Sequence, residues 1–421
     1  MRCWIRPRNR CESGIHLPDG RTRPAANSVT SRKASCGLGS ITEVEENKLR
    51  ITDIELIISE VDEPGALDES PSKPGDGSSF APKSEIVVVT IKTDAGIDGH
   101  GFGWGVKGGA RLAHTIAEVY RPELLGEDPL DRERLWHKAH RADRFGGLTS
   151  FAAYGSLDVA LWDIGAKQAE IPLYKYVGAY RDVIPAYASS PFLETPAQYA
   201  DLALEAQKSG YTAFKLHPPG EARLDIECCR AVREAVGPTM ELMSDPVGGA
   251  YDHEDALRVG RALEKLDYLW LEEPLYDHDI HGLEMLTSTL DIPICAAEWN
   301  SDFFSKLNFL KGGAADIIRA DVSWTGGITG SLKSAHLAEA FGVNCEPHMT
   351  VLSLMDLANL HLALAIKNCR YLEIPYPDGA KFGLKNPVDI DSNGMVHPPE
   401  LPGLGADIDW DAIHANEVAR I

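Results

Sequence analysis

The chain has 421 residues and a formal net charge of −22, too long for one ordinary core, so a large barrel with a smaller companion domain is expected. That charge excludes a polyanionic partner over most of the surface, which sets aside nucleic acid and anionic membrane and leaves small ligands held by local cations. The eight cysteines, with Cys228 and Cys229 adjacent, follow no zinc or disulfide-framework spacing, so reduced thiols in the cytoplasm are expected.

Residues 1–47 read as a basic, disordered leader: Arg2, Arg6, Arg8, Arg10, Arg21, Arg23, Arg32 and Lys33 stand against Glu12 and Asp19 up to Ser40, with no helical period. No apolar run approaches the roughly 20 residues of a membrane helix. Folded structure is expected from about Leu49, where Ile51, Ile54 and Leu56 to Ile58 suggest a strand, and again over Glu85 to Lys92, the run EIVVVTIK. The Pro, Gly and Ser-rich stretch between them, Glu63 to Lys83, is long for a connection inside a compact domain and reads as a lid. Helical patterns follow over Gly109 to Leu125, Pro129 to Ala142 and Ser150 to Gln168, so residues 48–182 read as an α+β domain.

From Val183 the pattern changes to short apolar strands alternating with helices. PAYAS, TAFKLH, MELMSD, YLWLEE, IPICAAE, ADIIRAD, VNCEPH and CRYLEI are the strand candidates. Helices are expected between them, for instance over Pro196 to Ser209, Asp225 to Val236, His253 to Lys265, Gly327 to Phe341 and Leu352 to Ile366, making consecutive strands parallel and closing residues 183–376 into a TIM-like barrel. Residues 377–421, rich in Gly, Pro and Asp, are expected to return to the N-terminal domain.

In such barrels chemistry sits at the C-terminal strand ends. Asp245, Glu272 and Glu298 each close an apolar strand. Singly, each is more simply a helix cap or an ion-pair partner. Together they are converging anions that call for a hard cation, Mg²⁺ with Mn²⁺ as a substitute. Glu273 is expected to turn away from the face of Glu272 and to play a structural part. Lys215 and His217 share one face of their strand, with Leu216 on the other. Asp321 and His348 end adjacent strands, so a carboxylate-imidazole bond that fixes the tautomer is feasible. Glu373 ends the last strand.

At these residues the sequence resembles the mandelate racemase subgroup of the enolase superfamily over nearly all of Lys48 to Ile421. The resemblance is carried by WLEEPLYDHDIHG, AEWN, DVSWTGGITG, EPH and YLEIP, which stand in the family's order. It implies a (β/α)7β modified TIM barrel beneath an α+β capping domain completed by the C-terminal tail. It also implies Mg²⁺ on Asp245, Glu272 and Glu298, an Asp321–His348 dyad, Lys215 polarising the substrate carboxylate, Glu373 donating a hydrogen bond to the enolate, and a homo-oligomer. The chain departs from the family at His217, where many members carry a second Lys, and at Pro246 and Val247. The expected reaction is α-proton abstraction from a sugar acid with loss of the β-hydroxyl, which needs one base and one acid. Racemisation or epimerisation, lactone cycloisomerisation and a non-catalytic ligand-binding barrel are the alternatives.

Overall fold

A computed structural model describes residues 48–61, 84–105, 108–145, 152–300, 302–349, 352–377, 379 and 381–421. The leader 1–47 and the whole of the stretch read as a lid lie outside the described residues. The first sheet holds β1 (Ile51–Val61), β2 (Ser84–Thr93), β3 (Gly99–Gly105) and the C-terminal β13 (Glu417–Arg420), in the order β13-β1-β2-β3. The β-branched runs of β1 and β2 suit a pleated, half-covered surface, and the tail re-enters through Ile57 opposite Arg420.

β3 was invisible in the sequence because its inward positions are glycine. A Cβ on Gly101 would stand 2.0 Å from the Ser156 carbonyl oxygen, and one on Gly99 2.1 Å from that of Ala160. Strand and helix Ala152–Gln168 therefore meet backbone to backbone. That helix is apolar on nearly all sides and buried along its length, as a helix enclosed by other elements must be. The helix expected over Gly109 to Leu125 is interrupted: a π-helical segment, Ile116–Tyr120, separates Gly109–Thr115 from Arg121–Leu124, next to Pro122, which has no N–H to continue the ladder.

The second sheet contains β4 (Ile184–Ser189), β5 (Ala213–Leu216), β6 (Glu241–Ser244), β7 (Trp270–Glu272), β8 (Ile294–Ala296), β9 (Ile317–Ala320), β10 (Asn344–Pro347) and β11 (Leu372–Pro375), with the short β12 (Met395–Val396) on β4. The parallel order is β10-β9-β8-β7-β6-β5-β4-β11. All the strand candidates of the sequence are present, separated by helices that start on side-chain caps such as Thr195, Asp252, Asp279 and Asp302. Its two ends are joined by side chain: Glu346 of β10 accepts the N–H of Arg370 at 2.9 Å and of Tyr371 at 3.2 Å beside β11.

Alternation sorts the strand residues into two cores. Tyr187, Ala213, Met243, Trp270, Cys295, Ile317 and Tyr371 fill the interior of the curled sheet. Leu216, Leu242, Leu271, Ile294, Ile318 and Leu372 face the helices. Each interior residue sets the side on which the residue two further along emerges, and this is what builds the site. Among the described residues, Cys228, Cys229, Cys295, Cys345 and Cys369 are free and buried, and no described helix is long and apolar enough to cross a membrane.

Candidate active site

Counting by twos from the interior layer leads from Ala213 to Lys215, from Met243 to Asp245, from Trp270 to Glu272, from Ile317 to Arg319 and Asp321, and from Tyr371 to Glu373. The structure brings these side chains together at the C-terminal strand ends. The Lys215 ammonium lies 2.9 Å from Asp245 Oδ2, 2.9 Å from Glu373 Oε1 and 3.3 Å from Glu272 Oε2. Arg319, fully buried, has Nε 2.8 Å from Glu272 Oε1 and 3.4 Å from Glu298 Oε2; its Nη2 pairs with Glu373 and its Nη1 donates to the Tyr187 hydroxyl at 3.2 Å. Asp245, Glu272 and Glu298 thus converge on two shared cations.

Alternation fails at two points, and both matter. β8 would present Ala297 two residues after Cys295. Instead Ala297 adopts φ +72° and packs with the outer core, and Glu298 turns in. Glu273 adopts φ +40°, so it does not turn away as expected. Its Oε2 accepts the Trp299 indole N–H at 3.2 Å, and burial beside Glu298 and Asp245 pushes its carboxyl well above the usual range. Left-handed backbone at non-glycine residues is costly and gathers at functional sites.

The two imidazoles stand on nearly opposite sides of the curled sheet, directly after β5 and β10. His348 Nδ1 lies 2.8 Å from Asp321 Oδ2. Asp321 Oδ1 accepts from the Ser323 N–H at 2.7 Å and the Asn359 amide at 3.2 Å, and that same amide donates to the His348 carbonyl at 2.8 Å. The acceptor at Nδ1 leaves Nε2, 3.5 Å from Glu298 Oε1, as the proton-exchanging nitrogen. Burial opposes charge on the ring, but Glu298 and the Asp321 bond raise it to about 10. His217 mirrors this with a weaker partner. Its Nδ1 lies 2.5 Å from the Ser190 carbonyl, which can only accept, and its Nε2 lies 3.3 Å from Asp245 Oδ2.

Burial works against ionisation of Asp245, yet Lys215 and His217 hold it below the ordinary range. Glu373 is likewise held well below despite burial, by Lys215, Arg319 and His348, and its Oε1 also accepts from Ser189 Oγ at 2.7 Å. Here Glu373 is paired with Lys215 and Arg319 and its oxygens accept, whereas the resemblance implies a donor at this position. Glu298 is pushed up to about 7 by burial, with Glu272 and Asp245 adding to it against His348 and Arg319.

Among the described residues no three His, Cys, Asp or Glu side chains stand together at metal-binding distances; Lys215 and Arg319 are the cations between these carboxylates. A hard divalent cation nevertheless fits the donor set. The carboxyl groups of Asp245, Glu272, Glu273, Glu298 and Glu373 are crowded together in a buried site, and the raised carboxyls of Glu273 and Glu298 mark a repulsion that a bound cation would relieve. Glu272 Oε1, fully buried, takes no hydrogen bond among the described residues although Arg319 Nε is near. All the donors are oxygen, the ligand type Mg²⁺ prefers.

Sequence reasoning missed Arg319, Ser189, Ser190 and Asn359. Arg319 was legible: it precedes Asp321 by two on the same strand face. Asn359 and the serines carry no signal until their elements are placed beside the site.

Two family models cover most of the described chain: the mandelate racemase/muconate lactonizing enzyme N-terminal domain over residues 77–178 and the enolase C-terminal domain-like model over 198–412. The chain is 35% identical over 286 residues to the L-talarate/galactarate dehydratase of Salmonella typhimurium, covering 66% of this chain and 70% of that one. It is 30% identical over 338 residues to the 3,6-anhydro-alpha-L-galactonate cycloisomerase of Streptomyces coelicolor, covering 78% of this chain and 90% of the relative. The structure superposes on D-glucarate dehydratase from Agrobacterium tumefaciens complexed with magnesium with a TM-score of 0.76 and 34% identity, over 88% of this chain and 99% of that one.

Proposed function

The chain belongs to the mandelate racemase/muconate lactonizing enzyme family of the enolase superfamily, and from that premise we propose that it is a hydro-lyase that converts a sugar acid to a 2-keto-3-deoxy acid. The observation that carries this reading is the pair of unequal imidazoles, each presenting Nε2 to the carboxylate cluster from opposite sides. His348, backed by the buried Asp321 carboxylate, is the stronger base and takes the proton from the carbon next to the substrate carboxylate. The C–H electron pair enters the carboxylate as an enediolate. Glu298, 3.5 Å from Nε2, stabilises the imidazolium that forms. Collapse of the enediolate expels the hydroxyl on the next carbon, which leaves as water with a proton from His217 Nε2. The resulting enol tautomerises to the 2-keto acid.

Lys215 supplies fixed positive charge for the substrate carboxylate and the enediolate, and Asp245, Glu272 and Glu373 hold that ammonium in place, the last two braced in turn by Arg319. Mg²⁺, or Mn²⁺ in its stead, would be held by Asp245, Glu272 and Glu298 and would supply further positive charge against the developing enediolate. Racemisation needs two bases of balanced strength. A carboxylate behind His348 and a neutral carbonyl behind His217 favour a base and an acid instead. Cycloisomerisation is the second reading, favoured by the named activity of the Streptomyces relative; there a ring oxygen leaves in place of hydroxide.

A panel of aldonic and aldaric acids and their lactones, incubated with Mg²⁺ and assayed for 2-keto acids, tests the proposal. The expected result is keto-acid formation from one or a few open-chain acids. Ring opening of a lactone with no product from any open-chain acid would replace dehydration with cycloisomerisation.

A further inference from the structure

Trp299 is an unusual surface residue. It follows Glu298 directly and is 59% exposed, yet it is fixed at both ends. Asp277, itself buried, accepts its backbone N–H at 3.0 Å, that of Ala297 at 2.8 Å and the Asn300 amide at 2.8 Å. Its indole N–H donates to Glu273 Oε2 at 3.2 Å, the carboxylate brought back to the mouth by its left-handed backbone. A tryptophan merely left over on a surface has no need of such anchoring. Holding a large apolar ring still in front of water has a cost that burial against a ligand recovers.

The ring also continues an aromatic series that begins at the reacting nitrogen. Trp324, three residues after Asp321, stacks on His348 with centroids 4.8 Å apart and planes at 28°. Trp299 lies nearly parallel to Trp324, at 8°, with centroids 6.1 Å apart. The series leads from the His348 imidazole outward over the rim formed by the ends of β8 and β9. A substrate whose carboxylate faces Lys215 and whose α-carbon faces His348 Nε2 extends its remaining carbons away from the charged cluster. The side chains of that cluster are acids and bases suited to the first carbons; beyond them stands an apolar face.

We propose that the Trp324–Trp299 pair is the specificity platform for the distal carbons of the substrate, packing against the C–H face of carbon four onward and selecting acids of five or six carbons over those of three or four. This rests on the sugar-acid reading of the site. A polyol carbon chain has C–H groups on one side and hydroxyls on the other, so an indole face takes the first and leaves the second to water.

The test compares wild type with Trp299→Ala and Trp299→Phe on glycerate, threonate, and five- and six-carbon aldonates and aldarates, by steady-state kinetics and by calorimetric affinity in the presence of Mg²⁺. Trp299→Ala is expected to raise KM and Kd for six-carbon acids by about tenfold, the effect of losing one well-packed apolar contact, with the loss in KM rather than kcat and largely restored by Phe. Glycerate affinity is expected to change by less than about twofold, since it has no distal carbons to pack. An equal loss for glycerate and six-carbon acids, or no loss for any, overturns the platform. If no compound turns over, the dehydratase reading falls, while a chain-length-dependent loss of affinity in Trp299→Ala still supports the platform. Failure of every acid to bind overturns both.

Discussion

Arg319 does as much as any carboxylate to define the site. It was legible by the rule that placed Asp321, yet inside the strand ADIIRAD it reads only as one polar break in an apolar run. Its guanidinium is the partner of Glu272, Glu298 and Glu373 at once, so its removal leaves buried anions uncompensated. Arg319→Met is expected to lower unfolding free energy by about 3–5 kcal/mol, measured by urea denaturation; unchanged stability would mean those carboxylates are compensated elsewhere. The dyad makes a separate prediction. His348 is held at about 10 by Glu298 and Asp321 against burial, so the unprotonated base is the minor form at neutral pH and activity climbs as pH rises. Asp321→Asn withdraws one of the groups that raise it, so the ascending limb should move to lower pH while kcat falls by about a hundredfold or more. A limb that stays in place would assign it to another group.

Elements set where those side chains can go, and here helix Ala152–Gln168 is the pivot. A Cβ on Gly155 would lie 2.4 Å from the Ser323 carbonyl and 2.6 Å from that of Val322, the loop between Asp321 and Trp324. Ala favours a helix by about 1 kcal/mol over Gly, but here Gly155→Ala should destabilise by about 1–3 kcal/mol through overpacking and lower turnover by displacing that loop. A gain in melting temperature with full activity would show that the contact relaxes freely. From the same helix Asp158 accepts the Thr329 N–H and hydroxyl, each at 2.8 Å, at the start of Gly327–Phe341, and burial lifts its carboxyl to about 7. A carboxyl raised in the folded state binds protons that the unfolded chain releases, so its contribution is present at low pH and is lost as pH climbs from the ordinary carboxylate range to about 7. Asp158→Asn should therefore compare better with wild type at pH 7.5 than at pH 5 in urea midpoints; the reverse order would mean the carboxylate is ionised in the folded protein. These contacts could not be read from the chain, because periodicity reports the faces of an element and not its neighbour. The same limit hid β3, and the left-handed turns at Glu273 and Ala297 broke the one rule that placed everything else.

Across the whole molecule, the strands of the parallel sheet were legible because each pairs an apolar run with a polar terminus, and the family resemblance added the cap. What the sequence hid was the closing contact between β10 and β11, where Glu346 stands in for a ladder. The account rests on the barrel mouth acting as one device, in which His348 removes a proton from the carbon beside a carboxylate that Lys215 and its partners hold. The most direct measurement is incorporation of deuterium from solvent at that carbon, followed by proton NMR with Mg²⁺ and a sugar acid that the enzyme turns over, for wild type and for His348→Asn with its metal affinity checked by calorimetry. The account predicts that wild type places the label at that carbon in recovered substrate, while its keto-acid product, which has a carbonyl there, carries solvent deuterium only at the next carbon, and that His348→Asn neither exchanges nor turns over although it binds the metal about as well. Exchange and turnover at wild-type rates in His348→Asn would contradict it.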